Sequence, residues 1–351
     1  MVLRISRPET IMTIRKGAKN PFAQKNKAIA STYNKPGIAE SWPRTSGVLA
    51  LMTTKESEAH VMPKGKKIRP MRGVIIDAYK ETPDTWTLSI FVHDNDKDYV
   101  AGQFISISPH QFIELKEFIA HFEFHKGKKE LVRAYSLTSA PHEKYLAITI
   151  KPESFIPGPG VYPPLLSPLL ASNVLVGREI EFTGFAGAYV LTPDLRAHTD
   201  HAIHLVAGSG AVPSFSIIKD ELIGKNSSIR HTMIVVNKRM EDIIFHKELI
   251  DLNLRFPERL SIHYYLTQEQ PPVHVGNNYH AGRPSIALVE DLIKDKNRTV
   301  FFACGPAITK YQKRQALQNN EEPKPRFMEW VHDVLEKLEI DKKHIKREIY
   351  G

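Results

Sequence analysis

The sequence predicts two domains in series, a small antiparallel β-barrel followed by a doubly wound parallel α/β sheet. Three observations predict it. At 351 residues the chain is longer than one hydrophobic core comfortably organises. Over about residues 70–195, short segments of alternating apolar and polar residues recur with turn residues between them, which is the texture of a barrel. After Leu195, continuous apolar runs alternate with helix-like stretches, the texture of parallel strands buried on both faces under covering helices.

The chain opens on a segment of different character. Residues 1–70 hold 14 Lys/Arg against 4 Asp/Glu and the remainder holds 34 against 35, so the overall charge of +9 belongs to this stretch. A basic arm can bind nucleic acid or an acidic partner, and a solvated tail has the same composition. No period of 3.6 or 2 runs through it, and no apolar h-region marks a secretory signal. An Arg-rich, acid-poor stretch also suits an organelle transit peptide, although no amphipathic face stands out. With 42% hydrophobic and 25% charged residues, and no apolar run near the roughly 18 residues of a membrane span, the chain is expected to be soluble. The expected boundaries are 1–69 for a basic, flexible extension, 70–197 for the barrel, and 198–351 for the α/β domain with its C-terminal helix and tail.

One cysteine, Cys304, makes no internal disulfide and cannot ligate an iron–sulfur cluster, which takes about four protein ligands. That favours a cytoplasmic location and puts any electron-transferring metal on another protein. His121 and His125 are spaced i, i+4, and His201 and His204 i, i+3, either of which suits a metal on a helix. Neither pair has a neighbouring carboxylate or cysteine to complete a site, so packed or solvated histidines are expected and no metal.

Within the first domain, "RGVIIDAYKETPDTWTLSIFV" reads as two strands around a turn at Thr82, Pro83 and Asp84, the second alternating through Trp86, Leu88 and Ile90. "GQFISISP", "KYLAITIK" and "REIEFTGFAGAY" add further strands. Between "GQFISIS" and "RAYS" lies the segment "HQFIELKEFIAHFEFHKGKKE", whose Phe112, Leu115, Phe118 and Phe122 suggest an apolar helical face packed on the barrel or covering a ligand or partner. In the second domain "HAIHLVAGSGA", "TMIVVN", "LSIHYYLT" and "TVFFAC" are the strands, with helical "PSFSIIKDELI" and "FHKELIDLNLRF" between them. "RFMEWVHDVLEKLEI" reads as an amphipathic helix near the C-terminus.

Three motifs carry chemistry. In "VAGSGAVP", Gly208 and Gly210 let the backbone approach a pyrophosphate at a helix N-terminus, with Pro213 suited to the first helical turn; a tight structural turn explains the same glycines. In "FFACGPAITK", Cys304, Gly305 and Pro306 end a strand on the same sheet edge, where a small thiol suits the face of a nicotinamide ring or simply a buried core. In "LVRAYSLTS", strand alternation puts Arg133 and Tyr135 on one face with Ser136 beside them. A flavin needs a cation for its pyrophosphate, an aromatic plane for its ring and a small hydrogen-bonding group near N5, and these three residues supply that set.

Barrel, "RAYS", "GFAGAY", "GSGAVP" and "CGP" occur in an order that resembles the ferredoxin–NADP⁺ reductase superfamily of flavoprotein oxidoreductases over about residues 70–350. The resemblance implies a Greek-key, flavin-binding barrel and an NAD(P)-binding α/β domain without an iron–sulfur domain. It implies flavin contacts for Arg133, Ala134, Tyr135, Ser136, Ile150, Lys151 and Gly160. For the pyridine nucleotide it implies Gly208, Gly210, Pro213, Asn237, Arg239, Asp242, Thr267, Cys304, Gly305 and Pro306. Ser136, Cys304 and Tyr350 would serve the reaction, Tyr350 by stacking over the flavin as an aromatic residue does in several relatives.

Two departures from the family pattern bear on the cofactors. A Gly-x-x-Ser/Thr pattern for the flavin pyrophosphate is replaced by "PGPGVYPPLLSPLL", with Pro163 near the hydroxyl position, which weakens the case for FAD over FMN. Where relatives carry a Ser-Arg pair for the 2′-phosphate of NADPH, this chain has Thr267 and Gln268; that tilts the choice toward NADH, with Lys238 and Arg239 as possible substitutes. The expectation is an NAD(P)H-dependent reductase passing electrons through FAD to a separate ferredoxin, oxygenase component or haem protein. The alternatives are a reductase of free flavin or a quinone, and a non-catalytic flavin-binding subunit or sensor.

Overall fold

The computed structural model describes residues 69–350 apart from 94–96, 154, 156, 159, 160, 273 and 274. The basic segment before Arg69, with the acidic partner its charge suggests, and Gly160 lie outside the described residues.

The first domain is one antiparallel sheet of β1 (Arg69–Thr82), β2 (Thr85–Phe91), β3 (Phe104–Ile107), β4 (Arg133–Ser136), β5 (Leu146–Ile150) and β6 (Glu179–Ala186), in the order β4-β3-β6-β1-β2-β5. The expected turn joins β1 to β2, where Asp84 accepts hydrogen bonds from the hydroxyls of Thr82 at 3.0 Å and Thr85 at 3.1 Å. Alternation along β2 sends Leu88 and Ile90 into a core shared with Ile75, Ile105, Ile148 and Phe182. The barrel does not close as a continuous sheet. Its edge strands β4 and β5 meet through a single antiparallel bridge from Leu137 to Ile148 and the bond from Thr138 N to Ala147 O, 2.7 Å.

Helix α1 (Lys116–Lys126) lies between β3 and β4, and the short α2 (Leu166–Leu170) between β5 and β6. The insertion buries Phe112, Leu115 and Phe122 as expected, but the fourth buried position is Ile119; Phe118 is 58% exposed. A spacing of three from Leu115 to Phe118 suits a continuous helix. Leu115, Ile119 and Phe122 keep the i, i+4, i+7 spacing of one helix face, so the inward stripe of the helix passes through Ile119 and leaves Phe118 outside it.

The second domain is a wholly parallel sheet of β7 (His201–Ala207), β8 (Arg230–Asn237), β9 (Leu260–Leu266), β10 (Tyr279–Ala281), β11 (Thr299–Pro306) and β12 (Ile345–Tyr350), in the order β10-β9-β8-β7-β11-β12. Its helices are α3 (Pro193–Ala197), α4 (Ala211–Lys219), α5 (His246–Arg255), α6 (Ile286–Leu292), α7 (Lys310–Gln318) and α8 (Phe327–Lys337). All seven residues of β7 are buried, as a central strand between two layers requires. The amphipathic α8 packs Met328, Val331, Val334 and Leu335 onto one face of the sheet. A separate cluster of Ala101, Tyr189, Ala202, Ile217, Phe302 and Cys304 joins the two domains.

The strand order turns back between β7 and β11, and that reversal opens a crevice at the carboxyl ends of the two strands. Its floor depends on Gly210. A Cβ there would stand 2.1 Å from Cys304 O, so the turn after β7 can lie against β11 only with glycine at this position. Gly208 differs: its φ of +54° calls for glycine, yet nothing lies within 4 Å of the Cβ position.

His201 and His204 lie on β7 and not on a helix, and both are buried. His204 stacks on Phe302 with ring centres 5.0 Å apart, and its Nε2 is 3.1 Å from Nδ1 of His231. Burial pushes His201 down to about 4, His231 down to about 3 and His204 well below its ordinary value. These rings are neutral in the fold.

Two outcomes follow from this packing. The unfolded chain takes up protons on these histidines below about pH 6.5 while the folded chain does not, so their stability contribution is complete above that pH and falls toward about pH 4. Thermal unfolding across this range should show a slope of up to about 1.4 kcal/mol per pH unit for each histidine, reduced in His204→Phe. Gly210→Ala should lower the melting temperature sharply by forcing β11 away, whereas Gly208→Ala should cost only about 1–2 kcal/mol of backbone strain.

Candidate active site

The carboxyl edge of the second sheet gathers most of the residues expected to bind a nucleotide. Gly208 and Gly210 form the tight turn from β7 into α4, and Pro213 is buried near the start of that helix. Asn237, at the end of β8, accepts a hydrogen bond from Gly208 N through Oδ1 at 3.2 Å. Its Nδ2 is buried without a partner, an unspent donor beside the glycine turn. Thr267, just past β9, donates to Asn237 O from its amide at 2.9 Å and its hydroxyl at 3.1 Å, tying the two strand ends together.

Arg239 and Asp242 form a turn of their own, with Arg239 N donating to Asp242 Oδ2 at 3.1 Å. Glu269 fastens that turn to the next by accepting from Met240 N at 2.9 Å. An open cleft of about 400 Å³, lined by Thr267, Gln268, Glu269 and Gly282 among others, runs along this end of the sheet.

On the other side of β7, β11 ends in Cys304, Gly305 and Pro306. Cys304 is fully buried, and burial with the nearby Glu348 carboxyl pushes its thiol well above the ordinary range, so it is a neutral thiol. Strand β12 pairs with β11 so that Glu348 sits opposite Cys304 and Tyr350 opposite Pro306. Alternation turns Glu348 and Tyr350 to the same side, while Arg347 and Ile349 are exposed.

That side faces β4 of the first domain. Ser136 Oγ donates to Glu348 Oε2 at 3.0 Å and accepts from the Tyr350 hydroxyl at 2.6 Å; the same hydroxyl lies 3.5 Å from Glu348 Oε2. Three groups from two domains, more than two hundred residues apart, thus share one hydrogen-bonded cluster. Burial raises the Glu348 carboxyl above its ordinary value, while its bonds from Ser136 and Tyr350 oppose that rise. Glu348 was absent from the sequence-based set. The signal was present: in "REIYG" it stands two residues before Tyr350, one strand alternation away.

The rest of the expected flavin set is distributed along β4 and beyond. Strand β4 bonds only to β3, so one side of its backbone is open, with Arg133 and Ala134 exposed there. Arg133 is loosely held, its guanidinium 3.6 Å from Glu130. Tyr135 is 9% exposed and packed in the core of the first domain, where an open aromatic face was expected. Its hydroxyl is 3.1 Å from Ser167 Oγ on α2, and burial pushes it up to about 12. Ser167, four residues after Pro163 in the same stretch, thus places a hydroxyl beside Tyr135. Ile150 is buried at the end of β5, the opposite edge strand from β4, and Lys151, the residue after that strand, pairs with Asp84 at 2.9 Å.

These groups fit a flavin dinucleotide. An exposed cation, an open strand edge, a Tyr–Ser hydroxyl pair and a small hydroxyl beside a buried carboxyl lie on one side. Across the crevice, a glycine with open space over it and an unpartnered amide suit a second nucleotide. Among the described residues, no three His, Cys, Asp or Glu side chains are grouped to hold a metal ion.

Residues 205–313 match the family of oxidoreductase NAD-binding domains. Among characterised proteins the chain is 26% identical over 270 residues to the ferredoxin reductase component of 3-ketosteroid-9-alpha-monooxygenase from Mycobacterium tuberculosis, covering 76% of this chain and 66% of that one. It is 30% identical over 138 residues to NADH-cytochrome b5 reductase 2-B from Vanderwaltozyma polyspora, covering 39% and 45%. The chain therefore spans about two thirds of the length of the first and about half of the second. Among solved structures, the FAD/NAD-binding domain of nitric oxide dioxygenase from Vibrio cholerae superposes with a TM-score of 0.55 at 22% identity, covering 80% of this chain and 98% of that one. A variant of ferredoxin-NADP⁺ reductase from Plasmodium falciparum superposes with 0.54 at 19% identity, covering 80% and 96%. At these identities the structures establish the fold alone. The chain thus shares its two-domain fold with FAD/NAD-binding reductases of the ferredoxin–NADP⁺ reductase type, and its residues 205–313 match the oxidoreductase NAD-binding domain family.

Proposed function

We propose that this protein is an NAD(P)H-dependent flavoprotein reductase that holds FAD along β4, in the cleft between its domains, and passes electrons to a separate one-electron carrier protein. The observation that carries this reading is the Ser136–Glu348–Tyr350 cluster, which joins the flavin-type strand of one domain to the nucleotide-type edge of the other. The names of the relatives, a ferredoxin reductase component and cytochrome b5 reductases, support a protein acceptor. A cytoplasmic location belongs to the same proposal; among the described residues no helix is long and apolar enough to cross a membrane.

A bound flavin accepts a hydride and releases electrons singly, which is the chemistry this site needs from a cofactor. The chain's own residues bind, orient and shield. Arg133 would neutralise pyrophosphate charge, with the Tyr135 and Ser167 hydroxyls as further donors, and this favours FAD over FMN. The open edge of β4 supplies backbone donors and acceptors for the flavin ring. Gly208 lets the backbone approach the pyridine nucleotide, and Asn237 Nδ2 has a bond to give it. Cys304, small and uncharged, leaves room for a ring above the crevice. Glu348 holds a proton more readily than an exposed carboxyl and can exchange it through Ser136 Oγ, to which it is bonded. Tyr350 covers Ser136 from the nicotinamide side and restricts water there.

For the coenzyme, the cleft favours NADH. Gln268 offers no charge, and the Glu269 carboxylate, anchored on Met240 N, repels a 2′-phosphate placed near it. Lys238 and Arg239, both exposed beside this cleft, act in the opposite sense.

The purified protein should be yellow and release FAD on denaturation. A preparation that stays colourless after incubation with FAD and FMN would overturn the reading. In stopped-flow reduction by NADH, Ser136→Ala should slow flavin bleaching by about 10- to 100-fold with flavin still bound. The wild-type rate should show a pH inflection above the ordinary carboxylate value of 4.5, absent in Glu348→Gln. Gln268→Arg should raise kcat/KM for NADPH relative to NADH by about 10-fold or more, the worth of one charge-assisted hydrogen bond.

A further inference from the structure

Helix α4 carries polar side chains that a helix packed under a parallel sheet does not need. All nine of its residues are buried, and they include Ser214, Ser216 and Lys219. A buried hydroxyl or ammonium costs free energy unless it finds a partner. Each of these finds one in the first domain or on the link between the domains. Ser214 Oγ is 2.7 Å from the Tyr189 hydroxyl, Ser216 Oγ donates to Ser139 O at 2.6 Å, and Lys219 Nζ donates to Glu143 Oε2 at 2.7 Å. The Lys219 ammonium also lies 4.6 Å from the centre of the Phe215 ring. At the next residue, Asp220 Oδ1 is 4.0 Å from His142 Nδ1, and a Cβ on Gly224 would stand 2.5 Å from the same nitrogen.

The receiving loop is itself braced. Ser139 Oγ lies 2.9 Å from the Tyr99 hydroxyl and accepts from Ala147 N at 3.0 Å, while Glu143 Oε2 accepts from Ala140 N at 2.6 Å. Ser139 follows Ser136 by three residues. Helix α4 starts at the glycine turn and rises about 13 Å to Lys219. One rigid element therefore touches the nucleotide crevice at its first turn and the loop behind Ser136 at its last.

We propose that the Lys219–Glu143 pair is a positioning latch. It clamps the loop that follows Ser136 onto α4 and so sets the distance between the Ser136 hydroxyl and the Glu348–Tyr350 pair. The proposal rests on the reductase reading, and both residues act through Ser136. Apolar packing between domains tolerates sliding, whereas an ion pair in which one carboxylate oxygen also accepts a backbone amide has a single geometry. A buried ion pair is a weak source of net stability, which leaves geometric specificity as its contribution here.

The test compares wild type, Lys219→Met, Lys219→Arg and the double variant Lys219→Met/Glu143→Gln, in which the glutamine carbonyl still accepts from Ala140 N and both charges of the pair are removed. Four quantities are read: melting temperature, the rate of flavin reduction at saturating NADH, the equilibrium Kd of NADH, and amide hydrogen exchange at Leu137, Thr138 and Ser139. The double variant should melt close to wild type and bind NADH normally, yet reduce its flavin at least about 10-fold more slowly and exchange those amides faster. Lys219→Arg should recover most of the rate. Wild-type rate and exchange in the double variant would overturn the proposal, as would a loss of rate that merely follows melting temperature across the variants. If wild-type flavin is bleached by neither NADH nor NADPH, the reductase reading fails, and exchange in the loop alone decides the latch.

Discussion

The hydrogen-bonded meeting of Ser136 with Glu348 and Tyr350 is the constraint on which the rest of the structure turns. Two sheets of different kinds, with separate cores, must place a hydroxyl and a carboxyl within 3.0 Å of each other. Nothing local can do this. The parallel sheet fixes Glu348 and Tyr350 by pairing β12 to β11, in register with Cys304 and Pro306. The antiparallel sheet fixes Ser136 at the end of its edge strand, opposite Phe104. The interdomain cluster around Tyr189 and Phe302, together with the polar contacts of α4, then holds the two frames together.

The electrostatics of the cluster follow from that burial. A carboxyl shielded by two domains holds its proton more tightly, and a thiol nearby stays neutral. Each shift depends on the domains remaining closed. Opening the cleft would hydrate Glu348 and return it toward ordinary acidity, so domain closure and proton occupancy are linked through one side chain.

Much of the fold was legible in the sequence because its signals are local. Alternation in "TWTLSIF" and continuous apolar runs in "HAIHLVA" and "TVFFAC" specify their strands whatever lies around them. The glycine turn and "CGP" could be placed on one sheet edge because each directly follows such a strand. What escaped was set by tertiary context. Strand β12 has neither a long apolar run nor clean alternation, since it is an edge strand stabilised by β11, and Glu348 was missed with it. The stripe of α1 through Ile119 is as helical in its spacing as one through Phe118, so periodicity alone does not choose between them. Tyr135 was expected to show a face to a ligand, but the spacing of "RAYS" cannot reveal that α2 folds over its hydroxyl. The serines and lysine of α4 read as ordinary helix residues until a second domain was found against them.

The unclosed sheet of the first domain has one more consequence. Strand β4 ends the sheet with backbone donors and acceptors facing outward, the surface on which strands of separate molecules adhere. Its brevity, four residues, and the cations at Lys128, Lys129 and Arg133 act as guards against such self-association. If the same edge grips a prosthetic group, then supply of that group and colloidal behaviour of the polypeptide become one problem: starved of it, the chain would be more prone to aggregate, and saturating it would shield the edge.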